Sequence, residues 1–325
     1  MIDNRLLYFP TTVLLIDDDK GFLANVGLKL TRTTPFLLSE NPESSLKLLL
    51  ENKDKKTLMN KLSERIIESN FVEMEPGYIC GKSLLYQQIY DVNRFAHIST
   101  VVVDYSMPKM NGKQFCDQLR GSHVRKIMLT GEADYRMAVD MFNDGLIDKF
   151  IVKDSPDMMV QLNQSIQKAQ YDYFTLLSGE LLKSFSFIID NDIDKNVATL
   201  LKDYFYKHNY SEHYLLDRFG SSLFLDINGQ PTWCIIKSIK EIETYCEIAQ
   251  DNNAPAEIIM SLQAREKIPF FLTNIDDKVT VKNWGTFLHP AQELINGYYY
   301  AFIHTSSAYT LDYARILSHQ TYLAA

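Results

Sequence analysis

Short, continuous apolar segments that run directly into polar residues are the feature that most restricts the fold of this chain. One segment, residues 11–16, is followed by three aspartates, and another, residues 100–103, ends against Asp104. Apolar runs without alternation are typical of strands that are covered on both faces, as in a parallel sheet between two layers of helices. The chain is therefore expected to contain an α/β domain.

Five such strands are predicted, and helical patterns separate them. The strands cover residues 11–16, 35–39, 100–103, 126–130 and 149–153. The helices cover residues 20–31, 42–51, 113–119 and 132–144. This alternation predicts a doubly wound five-stranded parallel sheet of the flavodoxin-like type, with functional groups beyond the carboxyl ends of its strands.

The other parts of the chain follow different patterns. Residues 52–97 break the alternation and are interpreted as a helical insertion, with helices near 57–68 and 83–94, which either recognises a partner or has no function of its own. Apolar residues spaced by three and four predict a connecting helix over 158–179, which packs on its own sheet or continues as a dimer contact; they are Met159, Leu162, Ile166, Ala169, Tyr173 and Leu176.

Residues 180–325 mix helical and strand patterns, with a hairpin signal at Asn228-Gly229 and a last helix near 310–322. We therefore predict a first domain over residues 1–157 with its insertion, the connecting helix, and an α+β domain over residues 180–325. The length of 325 residues is sufficient for two domains with separate cores.

Charge, cysteines and hydropathy exclude several classes of protein. The net charge is −8, most of it in the second half, which disfavours binding to double-stranded DNA because such binding relies on cations. No stretch of about twenty apolar residues and no signal peptide are visible, so a cytoplasmic protein is expected. The four cysteines form no C-x-x-C pair and are expected to be reduced, buried thiols: Cys80, Cys116, Cys234 and Cys246.

The candidate site consists of polar groups that follow four different strands. Asp17 and Asp18 follow the first strand, Asp104 the third, Thr130 ends the fourth and Lys153 ends the fifth. Each is unremarkable alone, because acids in loops and lysines at strand ends are usually solvated. Since the carboxyl ends of parallel strands lie side by side, the set is expected to converge on one crevice.

Four segments together resemble the receiver domain of two-component response regulators, in the family's order: VLLIDDD at 13–19, VVVDYSMPKMNG at 101–112, IMLTGE at 127–132 and FIVK at 150–153. The resemblance implies that Asp104 accepts a phosphoryl group from a histidine kinase or phosphotransfer protein. It also implies a Mg²⁺ ion held by Asp17, Asp18, Asp104 and the backbone carbonyl of Ser106, since Mg²⁺ prefers hard oxygen ligands.

The resemblance assigns further roles. Lys153 and the hydroxyl of Thr130 would contact the phosphoryl oxygens, and Thr130 with the ring of Phe150 would form the switch. Helix 132–144, strand 149–153 and the helix that follows would carry the change to a dimer partner or to the output domain. The family has a cis proline after its lysine, whereas Asp154 stands here, which leaves the geometry of Lys153 open. Asp19 is expected to cap a helix, and Gly112 to supply a backbone conformation closed to other residues.

The output domain, residues 180–325, shows no compact helix-turn-helix that would bind DNA. It also shows no catalytic motif, so an enzyme is the least favoured hypothesis. His208, His213, Asp276, Asp277, Trp284 and His289 form no recognisable cluster. The hypothesis is a response regulator that dimerises on phosphorylation and acts through protein binding. Binding of single-stranded RNA is the alternative, because the aromatic runs at 204–208 and 298–302 either stack bases or pack in the core.

Overall fold

A computed structural model describes the chain over residues 5–54, 88–131, 134–184, 193–217, 219–271, 281–294, 297–304 and 311–325. Most of the predicted insertion, with Cys80, lies outside the described residues, as do Asp276 and Asp277. Cys116, Cys234 and Cys246 are buried and free, as expected. Among the described helices, none combines the length and the apolar character that crossing a membrane requires.

The regular elements are numbered here in chain order. The strands are β1 Leu7–Tyr8, β2 Thr12–Ile16, β3 Phe36–Ser39, β4 Ile98–Asp104, β5 Arg125–Thr130, β6 Lys149–Val152, β7 Glu212–Leu215, β8 Ser222–Leu225, β9 Pro231–Ser238, β10 Lys267–Pro269, β11 Leu288–Pro290, β12 Gln292–Leu294 and β13 Tyr298–Ile303. The helices are α1 Lys20–Lys29, α2 Pro42–Asp54, α3 Gly112–Gln118, α4 Tyr135–Asn143, α5 Met158–Ser184, α6 Lys195–Lys207, α7 Ile239–Asp251, α8 Ala256–Gln263 and α9 His319–Ala324.

The chain divides into two compact units. The parallel unit comprises Tyr8–Arg65, Val92–Leu181 and His319–Ala325, and the antiparallel unit comprises Met1–Leu7, Ile66–Asp91 and Leu182–Ser318. Helix α9 packs in the parallel unit, where the rings of Tyr322 and Phe95 lie 5.4 Å apart. The sequence boundaries at residues 157 and 180 remain a prediction.

The parallel unit contains the predicted doubly wound sheet. Its five strands follow the order β3-β2-β4-β5-β6, and every neighbouring pair is parallel. Side chains of the central strands are buried on both faces, since Val101 and Val103 belong to one core cluster and Val102 to the other. This two-sided burial explains why the strands are apolar without alternation.

Helix α5 is longer than predicted, with 27 residues from Met158 to Ser184. Its apolar seam packs on the sheet of its own unit, because Leu162 and Ile166 belong to the core cluster on that face. Tyr173 is also buried, whereas Leu176 is 43% exposed. Of the two interpretations of the seam, packing on the sheet therefore accounts for its residues up to Ala169.

The antiparallel unit contains a six-stranded sheet in the order β1-β7-β8-β9-β13-β12 and a two-stranded sheet of β10 and β11. The predicted hairpin is confirmed, with β8 and β9 antiparallel and Gly229 at a φ of 78° in the turn. The single helix expected near 310–322 is wrong: the chain forms a 3-10 turn at Tyr313–Arg315 and then α9. The Arg315 N–H donates to the carbonyl of Asp312, a three-residue step that does not propagate an α-helix.

Candidate functional site

The carboxyl ends of three parallel strands bring the predicted acidic and basic groups together. Asp17 follows β2 and Asp104 is the last residue of β4, and both carboxylates are almost fully buried. One oxygen each from Asp17, Asp18 and Asp104 lies within 4.8 Å of the others. Asp18 is exposed, so the cluster opens to solvent on that side.

Lys153, which follows β6, closes the cluster. Its Nζ lies 2.7 Å from Asp17 Oδ2 and 2.7 Å from Asp104 Oδ1. No peptide bond in the described residues is cis, so the Lys153–Asp154 bond is trans. A trans bond is therefore compatible with the contact between the ammonium and both carboxylates. The same Nζ lies 4.6 Å from the ring centre of Phe22, a cation-π contact that sequence reasoning missed.

Burial and charge act in opposite directions on these groups. Burial raises the pKa of Asp17, although the hydrogen bond from Lys153 opposes the rise. Burial alone would lower the pKa of Lys153, but hydrogen bonds and charges from Asp104 and Asp17 outweigh it and raise that pKa. Three carboxylates facing one ammonium leave the pocket with an excess of negative charge when all are ionised. The pocket thus favours a further cation.

The donor set fits a Mg²⁺ ion. Carboxylate oxygens from three residues are hard ligands, and the exposed side at Asp18 leaves room for the water molecules that Mg²⁺ keeps. The backbone N–H of Ser106 donates to Asp104 Oδ2 at 3.0 Å, which orients the carboxylate in the pocket. Asp19 is confirmed as a helix cap: it accepts from the Phe22 N–H at the start of α1.

Thr130 is the last residue of β5, the strand between β4 with Asp104 and β6, which Lys153 follows. The Thr130 hydroxyl is buried and donates to the carbonyl of Gly131 at 3.1 Å. Phe150 lies in β6, and its ring contacts Tyr135 and Phe142 on α4 at centroid distances of 5.4 and 6.1 Å. Phe150 therefore touches the helix that the sequence singled out as the carrier of the signal.

Gly112 is needed for a different reason from the one predicted. Its φ is not in the left-handed region, and the positive φ in this turn belongs to Lys109, at 67°. Instead, a Cβ at position 112 would lie 2.4 Å from the Asp104 carbonyl oxygen and 2.9 Å from Met128 Sδ. Glycine therefore permits α3 to start against the strand that carries Asp104.

A contact between Ser106 and Asp134 was not predicted from the sequence. The Ser106 hydroxyl donates to Asp134 Oδ2 at 2.7 Å. Asp134 precedes α4 as its N-cap residue, yet its side chain makes no capping hydrogen bond. An acid at the start of a predicted helix is ordinarily read as a cap, so the sequence pattern pointed away from this contact.

The histidines and the tryptophan singled out in the antiparallel unit do not form a cluster with catalytic geometry among the described residues. His213 is fully buried, its Nε2 lies 3.0 Å from Ser222 Oγ, and burial lowers its pKa to about 3. Burial also lowers the pKa of His289, to about 4. Trp284 is buried against Phe271, and His208 is exposed.

The two aromatic runs of the antiparallel unit pack against each other. The ring of Tyr204 in α6 stacks on Phe302 in β13, with centroids 3.5 Å apart and planes inclined by 11°. His208 covers Tyr204 further, at a centroid distance of 4.3 Å. The stacking surface of Tyr204 is thus occupied within the unit, as expected for core packing.

Comparison with known proteins identifies the class of the parallel unit. The family described as "Response regulator receiver domain" matches residues 60–167, which include β4, β5 and β6. The chain therefore contains a response regulator receiver domain.

Over nearly its whole length the chain is similar to one solved structure, the response regulator LqsR of Legionella pneumophila. The two are 29% identical with a TM-score of 0.78, and the match covers 98% of this chain and 95% of that one. The similarity includes both units, so it extends beyond the receiver domain.

Several of the matches that cover about half of this chain are receiver domains. One, from Francisella, is 15% identical with a TM-score of 0.32 and covers 50% of this chain and 97% of that one. Another, from Clostridium thermocellum, is 17% identical with a TM-score of 0.33 and covers 53% and 98%. At these scores they add nothing to the assignment. No curated protein sequence matches the chain.

Proposed function

We propose that this protein is a cytoplasmic response regulator in which Asp104 accepts a phosphoryl group from a histidine kinase or phosphotransfer protein. A carboxylate oxygen of Asp104 attacks the phosphorus of a phosphohistidine, and the P–N bond breaks. The bonding electron pair leaves with the imidazole nitrogen, and the product is an aspartyl phosphate. The observation that carries the proposal is the junction of Asp104 with Asp17, Asp18 and Lys153 at one sheet edge.

The residues around Asp104 have complementary roles in this proposal. Asp17, Asp18, Asp104 and the Ser106 carbonyl would hold Mg²⁺, which when bound neutralises charge between carboxylate and phosphoryl oxygens. Lys153 moves from its two carboxylates toward the new anion as a mobile point charge. Thr130 turns its hydroxyl from Gly131 to a phosphoryl oxygen, and Phe150 follows into the vacated space.

Phosphorylation is tested with acetyl phosphate and Mg²⁺, by intact-mass measurement. We expect one phosphoryl group on the wild type and a loss of at least about 100-fold in labelling rate for Asp104→Asn, because the amide is not a nucleophile. Asp251→Asn, at an exposed position in α7, is the matched control. Undiminished labelling of Asp104→Asn refutes the site, and labelling that survives chelation of Mg²⁺ refutes the metal.

We further propose that phosphorylation promotes a homodimer through the face of α4, β6 and α5. The apolar seam of α5 is mostly buried in its own unit, so the contact uses exposed side chains. On α4 these are Tyr135, Met137 and Phe142, which are 46%, 41% and 46% exposed. Two of them touch Phe150, which would couple the dimer face to the switch.

Sedimentation velocity with and without acetyl phosphate measures this dimer. Met137→Lys should weaken the phosphorylated dimer by at least about tenfold, since it places a charge in a desolvated contact. Met260→Lys is the matched control, because Met260 is 67% exposed in the antiparallel unit. A phosphorylated wild type that stays monomeric refutes the dimer and leaves the chemistry of Asp104 intact.

For the antiparallel unit we propose an output role in binding a protein partner, with single-stranded RNA as the alternative. The packing of Tyr204 on Phe302 supports the protein, because a base would have to displace one of these rings. The acidic second half of the chain supports it as well. Salt-dependent binding of a labelled RNA of mixed sequence, measured by fluorescence anisotropy and lost in Tyr204→Ala, would decide for RNA.

A further inference from the structure

The N-terminus of α4 lacks the cap that its sequence provides. Asp134 occupies the N-cap position, where an aspartate ordinarily accepts a hydrogen bond from the second or third N–H of the helix. Here its carboxylate accepts from the Ser106 hydroxyl instead, at 2.7 Å. The Asp134 side chain therefore does not cap the first turn of α4 while it accepts from Ser106.

Ser106 links this engaged acid to the phosphoacceptor. Its backbone N–H donates to Asp104 Oδ2 at 3.0 Å, and its hydroxyl donates to Asp134. On the other side, the Asp134 N–H and the Thr130 hydroxyl share one acceptor, the Gly131 carbonyl, at 3.3 and 3.1 Å. Asp134 is thus connected by hydrogen bonds to both Asp104 and the switch threonine.

We propose that Asp134 is a positioning residue that exchanges Ser106 for the N-terminal amides of α4 when Asp104 is phosphorylated. This inference rests on the proposed function, since it needs charge to appear on Asp104. Phosphorylation replaces the single negative charge of the Asp104 carboxylate by a charge of about −2 next to Ser106, and the additional charge repels the Asp134 carboxylate. The backbone amides of Arg136 and Met137, at the positive end of the helix dipole, are the donors that the Asp134 carboxylate then binds.

The exchange gives α4 two states with different surfaces. Released from Ser106, Asp134 stabilises the first turn of α4, which carries the exposed Tyr135 and Met137. Phosphorylation of Asp104 thereby stabilises the first turn of the helix that is proposed to form the dimer. Asp134 is already at the N-cap position but has a ψ of 5°, so the exchange combines a side-chain rotation with a turn of its backbone to the extended conformation from which Asp19 and Asn111 cap their helices.

Hydrogen exchange of the Arg136 and Met137 amides tests the proposal in the full chain. Without a phosphodonor, Ser106→Ala should raise their protection about fivefold, because it frees Asp134 to cap the helix. Ser106→Thr, which keeps the hydroxyl, should leave protection at the wild-type value. The phosphorylated wild type should match the unphosphorylated Ser106→Ala variant.

Substitution of Asp134 separates charge from capping. Asp134→Ala should abolish the increase in protection of the Arg136 and Met137 amides, both in the Ser106→Ala background and on phosphorylation. Asp134→Asn can cap a helix but is not repelled by an anion, so its response to phosphorylation should fall while its response to Ser106→Ala persists.

Unchanged protection in Ser106→Ala would overturn the proposal. If the wild type is not phosphorylated but Ser106→Ala still increases the protection of the Arg136 and Met137 amides, the proposed function fails and the exchange of Asp134 is supported.

Discussion

The two units differ in where their polar residues lie along the strands. In the parallel unit, Asp17, Asp104 and Lys153 lie at or just beyond strand ends and meet at one edge that Asp18 opens to solvent. In the antiparallel unit, polar residues lie within buried strands and pair with each other. Parallel topology gathers reactive groups at an accessible edge, whereas these antiparallel strands use polar groups internally.

The buried polar residues of β7 and β8 illustrate the second pattern. Tyr214 donates its hydroxyl to Glu212 at 2.5 Å, and both side chains are fully buried. His213 contacts Ser222 on the neighbouring strand. Most buried polar groups have such partners, so a buried polar residue by itself indicates a structural role as readily as a functional one.

The largest effect is expected at Gly112 in the parallel unit. Gly112→Ala places a Cβ 2.4 Å from the backbone oxygen of Asp104, which should cost about 3 kcal/mol and slow phosphorylation, since β4 or α3 has to move. Hydrogen exchange of β4 amides and the labelling rate report it. Gly179→Ala in α5 is the control, because no atom of the described residues lies within 4 Å of a Cβ there. Equal effects of both variants would contradict the steric explanation.

The next effect concerns Tyr204 in the antiparallel unit. Tyr204→Ala removes a ring stacked on Phe302 and should cost about 2.5 kcal/mol, somewhat less than for a fully buried aromatic residue. Both tryptophans, Trp233 and Trp284, belong to this unit, so urea unfolding followed by tryptophan fluorescence reports it. Tyr204→Phe keeps the ring and should change stability little. Full stability in Tyr204→Ala would indicate a ring available for binding.

A pH dependence is expected from His213. Burial holds its pKa near 3 in the folded state, below the ordinary value of 6.5. The unfolded chain therefore binds the extra proton first, and stability falls as the pH drops from 7.5 toward 3. Between pH 7.5 and pH 5 this one group should lower the free energy of unfolding of the antiparallel unit by about 2 kcal/mol.

The same fluorescence titration in two variants isolates this contribution. His213→Gln should flatten the pH dependence, whereas His208→Gln, at an exposed position, should not. An unchanged slope in His213→Gln would show that the histidine is not buried in its neutral form.

The smallest effect is the cap of α1. Asp19→Ala removes the acceptor for the Phe22 N–H and should lower the stability of the parallel unit by about 1 kcal/mol. Asp19→Asn keeps an acceptor and serves as the control. Phosphorylation should persist in both variants, because Asp19 lies outside the acid cluster; loss of labelling in Asp19→Asn would give it a role in the chemistry.

The sheet and the acid cluster could be predicted because strand direction alone fixes them. Strands that end in Asp104 or Thr130 deliver those residues to the same edge whatever the loops do. The contact between Ser106 and Asp134 could not be predicted, because two loops determine it. Strand β7 was missed because Glu212 and His213 interrupt its apolar pattern, although both are buried.

The family match does not cover the first strand of the parallel sheet that carries acidic residues. The family match starts at residue 60, so β2 with Asp17 and Asp18 lies outside it, although β2 pairs with β4 in the sheet. A break between the second helix and the third strand separates the first acids from the rest of the pattern. In the folded sheet, these acids nevertheless lie within 4.8 Å of Asp104.

The interleaved composition of the two units has a consequence for synthesis on the ribosome. Residues Met1–Leu7 belong to the antiparallel unit, and Leu6 accepts a hydrogen bond from Leu215, more than two hundred residues later. His319–Ala325 belong to the parallel unit, although they follow the last residues of the antiparallel unit in the chain. Domains generally fold in the order in which they emerge. Here neither unit is complete until the other has been largely translated, so nascent chains should acquire the protease resistance of both units late and almost together.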